Sequence, residues 1–211
     1  MSQNATDWIV QAPARAAVLA ALTQPLTATQ LARRTGTRRD QCSKVITGLL
    51  SQALARCRNA GARRSRLYWV TRPGQRLRDR VRKLLELAPC SVPPSDVDWN
   101  TYGWLCYTHR SAVVKALDRP MRPAEIKHRA RFLDTAVRIS VSNVRDIVRL
   151  LLARGIAEPV RIRRRSRPRY QLTASGRQFR DLLIRADAEY FPCSLAERRL
   201  RQAGLAPFAG L

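Results

Sequence analysis

The segment 161–169 holds six arginines and no acidic residue: Arg161, Arg163, Arg164, Arg165, Arg167 and Arg169. A guanidinium is permanently charged, and its planar N–H donors match the oxygens of a phosphate group. One arginine alone is commonly a solvated surface charge, but a group of this density indicates a binding segment for anions. We expect most of these side chains to contact phosphates, which positions a polyanion without reading its sequence.

A helix with one polar face precedes this segment. Its apolar residues recur at helical spacing, at Val144, Ile147, Val148, Leu151 and Leu152. Gly155 follows, at the position that glycine favours just after a helix end. The other face presents Ser140, Ser142, Asn143 and Arg145. The amide of asparagine and the guanidinium of arginine can each form two hydrogen bonds to one partner, so this face is a candidate binding surface.

Two alternating segments, 156–162 and 170–173, flank the arginine-rich turn and predict a pair of strands. A helix with a polar face, followed by two strands and a basic turn, is the arrangement of a winged helix. The same order occurs earlier, where Cys42, Ile46, Leu49 and Leu50 form the apolar side of a helix before strands at 55–58 and 66–71. There the polar face would present Thr37, Arg38, Arg39, Gln41, Ser43 and Lys44, and the basic turn Arg63, Arg64 and Arg66.

The two copies align by residue type. At a constant offset of 95 positions, Arg15, Val18, Leu22, Pro25, Leu26 and Leu31 match Arg110, Val113, Leu117, Pro120, Met121 and Ile126. At an offset of 102, Leu50, Leu54 and Thr71 match Leu152, Ile156 and Thr173. The offsets differ by seven, which predicts a seven-residue insertion around 128–138 in the second copy. Matches of this kind indicate a repeated supersecondary unit.

The repeat and the prolines divide the chain. We predict a mainly α fold with small β wings, built as two tandem winged helix-turn-helix domains at 1–88 and 99–187. A proline-rich linker would occupy 89–98, and a tail with a short helix would occupy 188–211. The second domain would begin with one long helix from Asn100 to Leu117. In the tail, Ser194 and Glu197 have the spacing of a helix capping box.

The composition favours a polyanionic partner. The chain has 40 Lys and Arg against 15 Asp and Glu, a net charge of +25. A codon bias can explain why 36 of the 40 are arginine, but it does not explain the deficit of acidic residues. Because the apolar fraction of 45% is ordinary for a folded protein, the charge points to nucleic acid rather than to disorder.

The residue types give little support for metal, cofactor or enzyme chemistry. The five cysteines form no C-x-x-C pair, and the two histidines are His109 and His128, so we expect no metal site and no cofactor. Asp118, Glu125 and Lys127 only loosely imitate the spacing of metal-dependent nucleases. A nucleophile–base set and a glycine-rich phosphate loop are both missing, which favours a binding protein. Widely spaced thiols, without a leader or a long apolar run, predict a cytoplasmic, nucleoid-associated protein.

Both halves resemble the winged helix-turn-helix domains of MarR- and ArsR-type regulators. The second half carries Pro123-Ala124-Glu125-Ile126, 151–156 and Arg169-Tyr170-Gln171-Leu172-Thr173; the first carries Cys42-Ser43-Lys44 and 66–71. The resemblance implies that the third helix of each domain enters the major groove while each wing touches phosphates or the minor groove. Every polar and basic residue named above for these helices and turns would then be part of the DNA interface.

Three interpretations remain open on the sequence. The first is a duplex-DNA binder, either a transcription regulator or the DNA-recognition part of a replication or mobile-element system. The second is an interaction subunit of a larger nucleic-acid-associated complex, in which the tail residues Leu195, Leu200, Leu205 and Phe208 could bind other protein subunits. The third is RNA binding, because an arginine-rich turn does not distinguish duplex types.

Overall fold

A computed structural model describes residues 3–90, 94–160 and 168–205. In these ranges the helices are α1 (Gln3–Val10), α2 (Pro13–Ala21), α3 (Ala28–Thr35), α4 (Arg39–Ser51), α5 (Arg72–Leu84), α6 (Trp99–Leu105), α7 (Thr108–Ala116), α8 (Pro123–Leu133), α9 (Val141–Ala153), α10 (Ala174–Ala188) and α11 (Cys193–Gln202). The strands are β1 (Ala55–Cys57), β2 (Tyr68–Val70), β3 (Ala157–Val160) and β4 (Arg169–Leu172).

The strands form two separate antiparallel pairs. β1 pairs with β2, with Ala55 opposite Val70, and β3 pairs with β4, with Ala157 opposite Leu172. The described chain is therefore mainly helical with small strand pairs, and the predicted class, mainly α with small β elements, is confirmed at that level.

One series of elements occurs twice. The order α2, α3, α4, β1, β2, α5 recurs as α7, α8, α9, β3, β4, α10. α7 begins and ends 95 residues after α2, and α9 begins and ends 102 residues after α4. An isolated bridge joins Leu26 to Tyr68 in the first series and Met121 to Tyr170 in the second. The internal repeat inferred from the sequence is therefore present in the element order and in the hydrogen bonds.

The same contact joins the strand pair to the following helix in both series. The hydroxyl groups of Thr71 and Thr173 accept the N–H of Gly74 and Gly176, at 3.2 Å in each case. A Cβ at either glycine would collide with the carbonyl oxygen of the residue before the first strand of the pair. Glycine is required here because the helix backbone approaches that carbonyl so closely.

The seven additional residues of the second series lie between its second and third helices, as predicted. α8 has 11 residues against 8 in α3, and the connection that follows spans 134–140 against 36–38. Part of the insertion thus adds helix, and the remainder lengthens the turn before α9. Phe132 and Leu133, in the added turn of α8, are 76% and 49% exposed.

The single helix predicted from Asn100 to Leu117 is wrong, because α6 and α7 are separate. Tyr107 lies between them with an extended backbone. Arg110 satisfies the interrupted helix end: its Nη1 donates to the carbonyl of Trp104 at 3.2 Å, and its guanidinium lies 4.2 Å from the centre of the Trp104 ring. A charged donor on an otherwise unpaired carbonyl stabilises the break.

Residues 3–10 form the helix α1. Ile9 and Val10 are buried, and Trp8 packs against the core. Trp8 fits against α4 because residue 48 is glycine; a Cβ there would lie 2.7 Å from the indole ring.

The chain divides into two compact units. Unit 1 comprises 1–103 and 186–211, and unit 2 comprises 104–185. In unit 1, α11 packs against α2 and contributes Ala196 and Leu200, both fully buried, to the same core as Leu19 and Leu49. Unit 2 has its own buried residues, including Val113, Val114, Ile126, Val144, Val148, Leu151, Ile156, Leu172 and Phe179.

Three buried arginines close the end of α2 in unit 1. Arg34 donates to the carbonyl of Ala21, Arg78 to that of Leu22, and Arg82 to that of Ala20, at 3.0, 2.9 and 2.7 Å. The last carbonyls of a helix lack partners within the helix and carry partial negative charge. These guanidinium groups therefore stabilise α2 rather than a solvent-facing surface.

Arg34 also binds the last turn of α10 and the residue that follows this helix. Its Nε donates to the carbonyl of Ala186 at 2.7 Å, and its Nη1 lies 2.9 Å from a carboxylate oxygen of Glu189. Desolvation by burial lowers the pKa of Arg34, and Glu189 is the largest of the charges that oppose this effect. The backbone N–H of Phe191 donates in return to the carbonyl of Arg34 at 2.7 Å. Arg34 is thus the point where the C-terminal part of unit 1 joins the N-terminal part.

Candidate nucleic-acid interface

α4 turns its apolar residues toward the core, except that Leu50, which we predicted on that side, is 37% exposed. Cys42, Val45, Ile46 and Leu49 are buried in the core of unit 1. Burial raises the pKa of the Cys42 thiol to about 11, so this side chain packs as a neutral apolar group, as predicted. The residues expected to read bases lie on the opposite side, where Arg38, Arg39, Gln41, Ser43 and Lys44 are exposed and Thr37 is half-buried.

Some of these side chains already have partners and some have none. Arg38 binds the carboxylate of Asp40 through Nε and Nη2, at 3.2 and 3.0 Å. The hydroxyl of Ser43 donates to the carbonyl of Arg39 at 2.9 Å. By contrast, the side chains of Arg39, Gln41 and Lys44 make no hydrogen bond or ion pair with any described residue. These three are the groups of α4 most ready to bind an external ligand.

α9 presents a less basic face than α4. Ser140 caps the helix, its hydroxyl accepting the N–H of Asn143 at 3.1 Å, while Ser142, Asn143 and Arg145 are exposed. Asn143 occupies the position of Gln41 in the repeat, so both helices offer an exposed amide one turn from their start. Lys44, in contrast, is matched by Asp146, which pairs with Arg149 at 2.9 Å.

The loop between β1 and β2, residues 58–67, corresponds to the first predicted wing and is here called the first basic loop. Arg63, Arg64 and Arg66 are exposed on it. The buried Asn59 organises the loop, because its Oδ1 accepts the N–H of Leu67 at 2.7 Å and its Nδ2 donates to the carbonyl of Ser65 at 3.1 Å. The arginines therefore project from a folded loop whose base is fixed.

Residues 99–103 support the base of this loop within unit 1. Gly103 lies so close to Asn59 that a Cβ would collide with the amide nitrogen Nδ2, and it would lie 3.2 Å from the carbonyl oxygen of Ser65. Trp99 contacts Tyr102 edge to face, with ring centres 5.6 Å apart, and the guanidinium of Arg58 lies 5.9 Å from the Trp99 ring.

Gly103→Ala is expected to lower the free energy of unfolding of unit 1 by about 1–3 kcal/mol, the range for overfilling a packed site. The added methyl must displace Asn59 and so loosen the first basic loop. Gly61→Ala, in the exposed part of the same loop with nothing within 4 Å, is the matched control and should change stability little. Urea unfolding measures both, and equal effects of the two changes would contradict the supporting role of Gly103.

Five of the arginines of the second predicted wing, Arg161, Arg163, Arg164, Arg165 and Arg167, lie outside the described residues. The sixth, Arg169, is described and half-buried. Its Nη1 donates to the carbonyl of Pro120 at 3.1 Å and lies 3.4 Å from a carboxylate oxygen of Glu125. Arg169 therefore ties β4 to the start of α8, a contact that the sequence did not predict.

Arg56 and Arg58 are exposed basic residues that the predicted interface omits. Arg56 lies in β1 and Arg58 directly follows it. Both side chains are exposed, whereas Ala55 is buried and Cys57 is half-buried. The period-two pattern of a half-buried strand is visible in the sequence at 55–58 and could have identified both side chains. They extend the basic surface of the first basic loop along its first strand.

The described parts of the chain contain neither a candidate metal site nor a helix that could span a membrane. Among residues 3–90, 94–160 and 168–205, His, Cys, Asp and Glu nowhere form a group of three or more that could hold a metal ion. In those same ranges, none of the helices is both long and apolar enough to cross a membrane.

Comparison with protein-family models, with curated proteins and with solved structures gave no match.

Proposed function

We propose that the chain is a DNA-binding protein whose two repeated units are tandem winged helix-turn-helix domains. One observation carries the proposal: both units place a helix with an exposed polar face directly before a strand pair, at a fixed offset in the sequence. An excess of 25 positive charges accompanies this repeat. A basic protein with two such helices suits a long, regular polyanion.

In this function α4 and α9 enter the major groove. The groove is about 12 Å wide and admits an α-helix with its side chains. Gln41 and Asn143 would then face adenine edges, while Arg39, Lys44 and Arg145 would reach guanine edges or phosphates. The first basic loop and the five arginines of 161–167 would contact phosphates, which supplies affinity but no base preference.

The resemblance to MarR- and ArsR-type domains favours a transcription regulator or the DNA-recognition part of a replication or mobile-element system. A binding selection from random duplex DNA tests this directly. Enrichment of one site, with a protected length greater than one helical turn of about 34–36 Å, is expected if both units bind together. Absence of any enriched site would leave only sequence-independent binding.

Gln41→Ala and Asn143→Ala should each weaken binding to the selected site by roughly 1–3 kcal/mol, about 5- to 150-fold, and relax the preference at a single base pair. The reason is the loss of two hydrogen bonds to one base edge. Gln52→Ala removes an exposed amide at the opposite end of α4 and serves as the control. If neither substitution changes base preference while Gln52→Ala does, the helices are oriented differently from this proposal.

A second candidate is an interaction subunit of a nucleic-acid-associated complex, favoured by the exposed Phe132 and Leu133 on the inserted turn of α8. The tail supports this candidate less than its sequence suggested. Leu200 is buried and Leu195 packs against the core of unit 1, so both are occupied within the chain. Phe208 lies outside the described residues. Loss of partner capture on Phe132→Ser, with DNA binding unchanged, would favour this candidate.

A further inference from the structure

One face of α5 carries four cations in a row. Arg72, Arg76, Arg80 and Lys83 are all exposed, whereas Leu77 and Val81 on the opposite side are fully buried. At about 100° and 1.5 Å per residue, the four lie within one sector of the helix and span roughly 16 Å. We call this row the α5 stripe. It belongs neither to the polar face of α4 nor to the first basic loop.

Among the described residues, no acidic group neutralises the charge of the α5 stripe. Asp79 borders the stripe, but its carboxylate forms a salt bridge with the buried Arg78 at 3.0 Å, so the charge of Asp79 is already paired. None of the four stripe residues forms a salt bridge with a described acidic residue. Like charges four residues apart destabilise a helix, so the stripe has a cost that α5 itself does not require.

The repeat shows that the α5 stripe is not part of the shared scaffold. At the offset of 102, the residues of α10 that match Arg72, Arg76, Arg80 and Lys83 are Ala174, Gln178, Leu182 and Arg185. Only the last position keeps a charge. α10 therefore forms without cations at three of these positions, one of which, Leu182, is buried, so the α5 stripe is particular to unit 1.

We propose that the α5 stripe is a binding surface for a nucleic-acid backbone, in addition to the contacts of α4 and the first basic loop. This inference rests on the proposed DNA-binding function. The sector that holds the four cations contains no apolar side chain, whereas protein-binding faces carry apolar or aromatic anchors at their centre. Arginines at intervals of about 6 Å on a polar surface suit phosphates, and interfaces with nucleic acid are polar and strongly positive.

The test is the salt dependence of binding to one long duplex, measured for the intact chain with Arg72, Arg76, Arg80 and Lys83 all changed to alanine. If all four contact phosphates, the slope of log affinity against log salt becomes shallower by about 3.6. Between 50 and 200 mM salt the unaltered protein should then lose roughly 150-fold more affinity than the variant. Near-ultraviolet circular dichroism checks that the variant is folded.

Two further variants make the outcome specific. Changing the scattered Arg119, Lys127, Arg198 and Arg201 to alanine removes the same charge and should leave the slope almost unaltered. Arg72→Lys, Arg76→Lys and Arg80→Lys together should also keep it, because counterion release depends on charge. If the α5 stripe variant and the scattered control have the same salt slope, this inference is overturned. That result is expected if the stripe binds an acidic protein instead. If the unaltered chain binds no duplex at any salt concentration, the proposed function itself fails.

Discussion

Arg34→Ala is expected to lower the free energy of unfolding of unit 1 by roughly 3–5 kcal/mol, because a cavity forms and two carbonyls each lose a charged donor at about 1–3 kcal/mol apiece. The side chain of Arg34 is 2% exposed and donates to two backbone carbonyls, to the hydroxyl of Thr23 and to Glu189. Alanine would leave a cavity, and the carbonyl of Ala186 would lose its charged donor. Such a loss is a large fraction of the 5–15 kcal/mol that holds a typical domain folded.

Two neighbouring variants define the cause. Arg33→Ala removes an exposed charge one residue away and should change stability by less than about 0.5 kcal/mol. Arg34→Lys keeps the charge but cannot reach several acceptors at once, so it should remain strongly destabilising. Urea unfolding monitored by circular dichroism measures all three. Equal midpoints for Arg33→Ala and Arg34→Ala would show that the Arg34 network contributes nothing to stability.

The affinity for duplex DNA is expected to fall by about 10³–10⁵-fold between 50 and 200 mM salt, as for a protein that makes six to ten phosphate contacts. Six exposed cations of the described interface can supply these contacts: Arg39, Lys44, Arg63, Arg64, Arg66 and Arg145. Each bound cation releases counterions from the duplex, and raising the salt concentration opposes that release.

Fluorescence anisotropy over a salt series, with duplex DNA and duplex RNA of one sequence, is the measurement. A salt response that is flat, or binding confined to RNA, would contradict the proposed function. Arg63→Ala combined with Arg64→Ala should reduce the slope by about 1.8 and weaken binding similarly on all sequences. A change in base preference from those two substitutions would mean that the first basic loop reads bases.

The helices and the repeat could be predicted because their signals are local. The apolar spacing of Cys42, Ile46 and Leu49 defines the buried side of α4, and the matched side of α9 follows the same rule. Gly74 and Gly176 carry a signal of the same kind, since both sit three residues after a threonine in the two copies. Residues close in sequence determine each of these features.

The arginines were harder to interpret, because residue type does not reveal burial. Arg34, Arg78 and Arg82 count toward a basic composition, yet they lie inside unit 1 and bind the end of α2. Arg169 belongs to a dense basic segment, yet it binds Glu125 and Pro120. Their partners are distant in sequence, so only the tertiary structure separates structural arginines from those free to bind a ligand.

Unit 1 contains residues from both ends of the chain, so it can finish folding only after residues 186–205 have been synthesised. Unit 2 is one continuous segment, while Arg34 and Glu189 are 155 residues apart. At a translation rate of about 5–20 residues per second, roughly 8–31 s pass between the synthesis of these two partners. During that time the Arg34 side chain lacks Ala186 and Glu189, and the part of the core covered by α11 is open. A ribosome-bound chain should therefore complete unit 2 first, although the residues of unit 1 begin to emerge earlier.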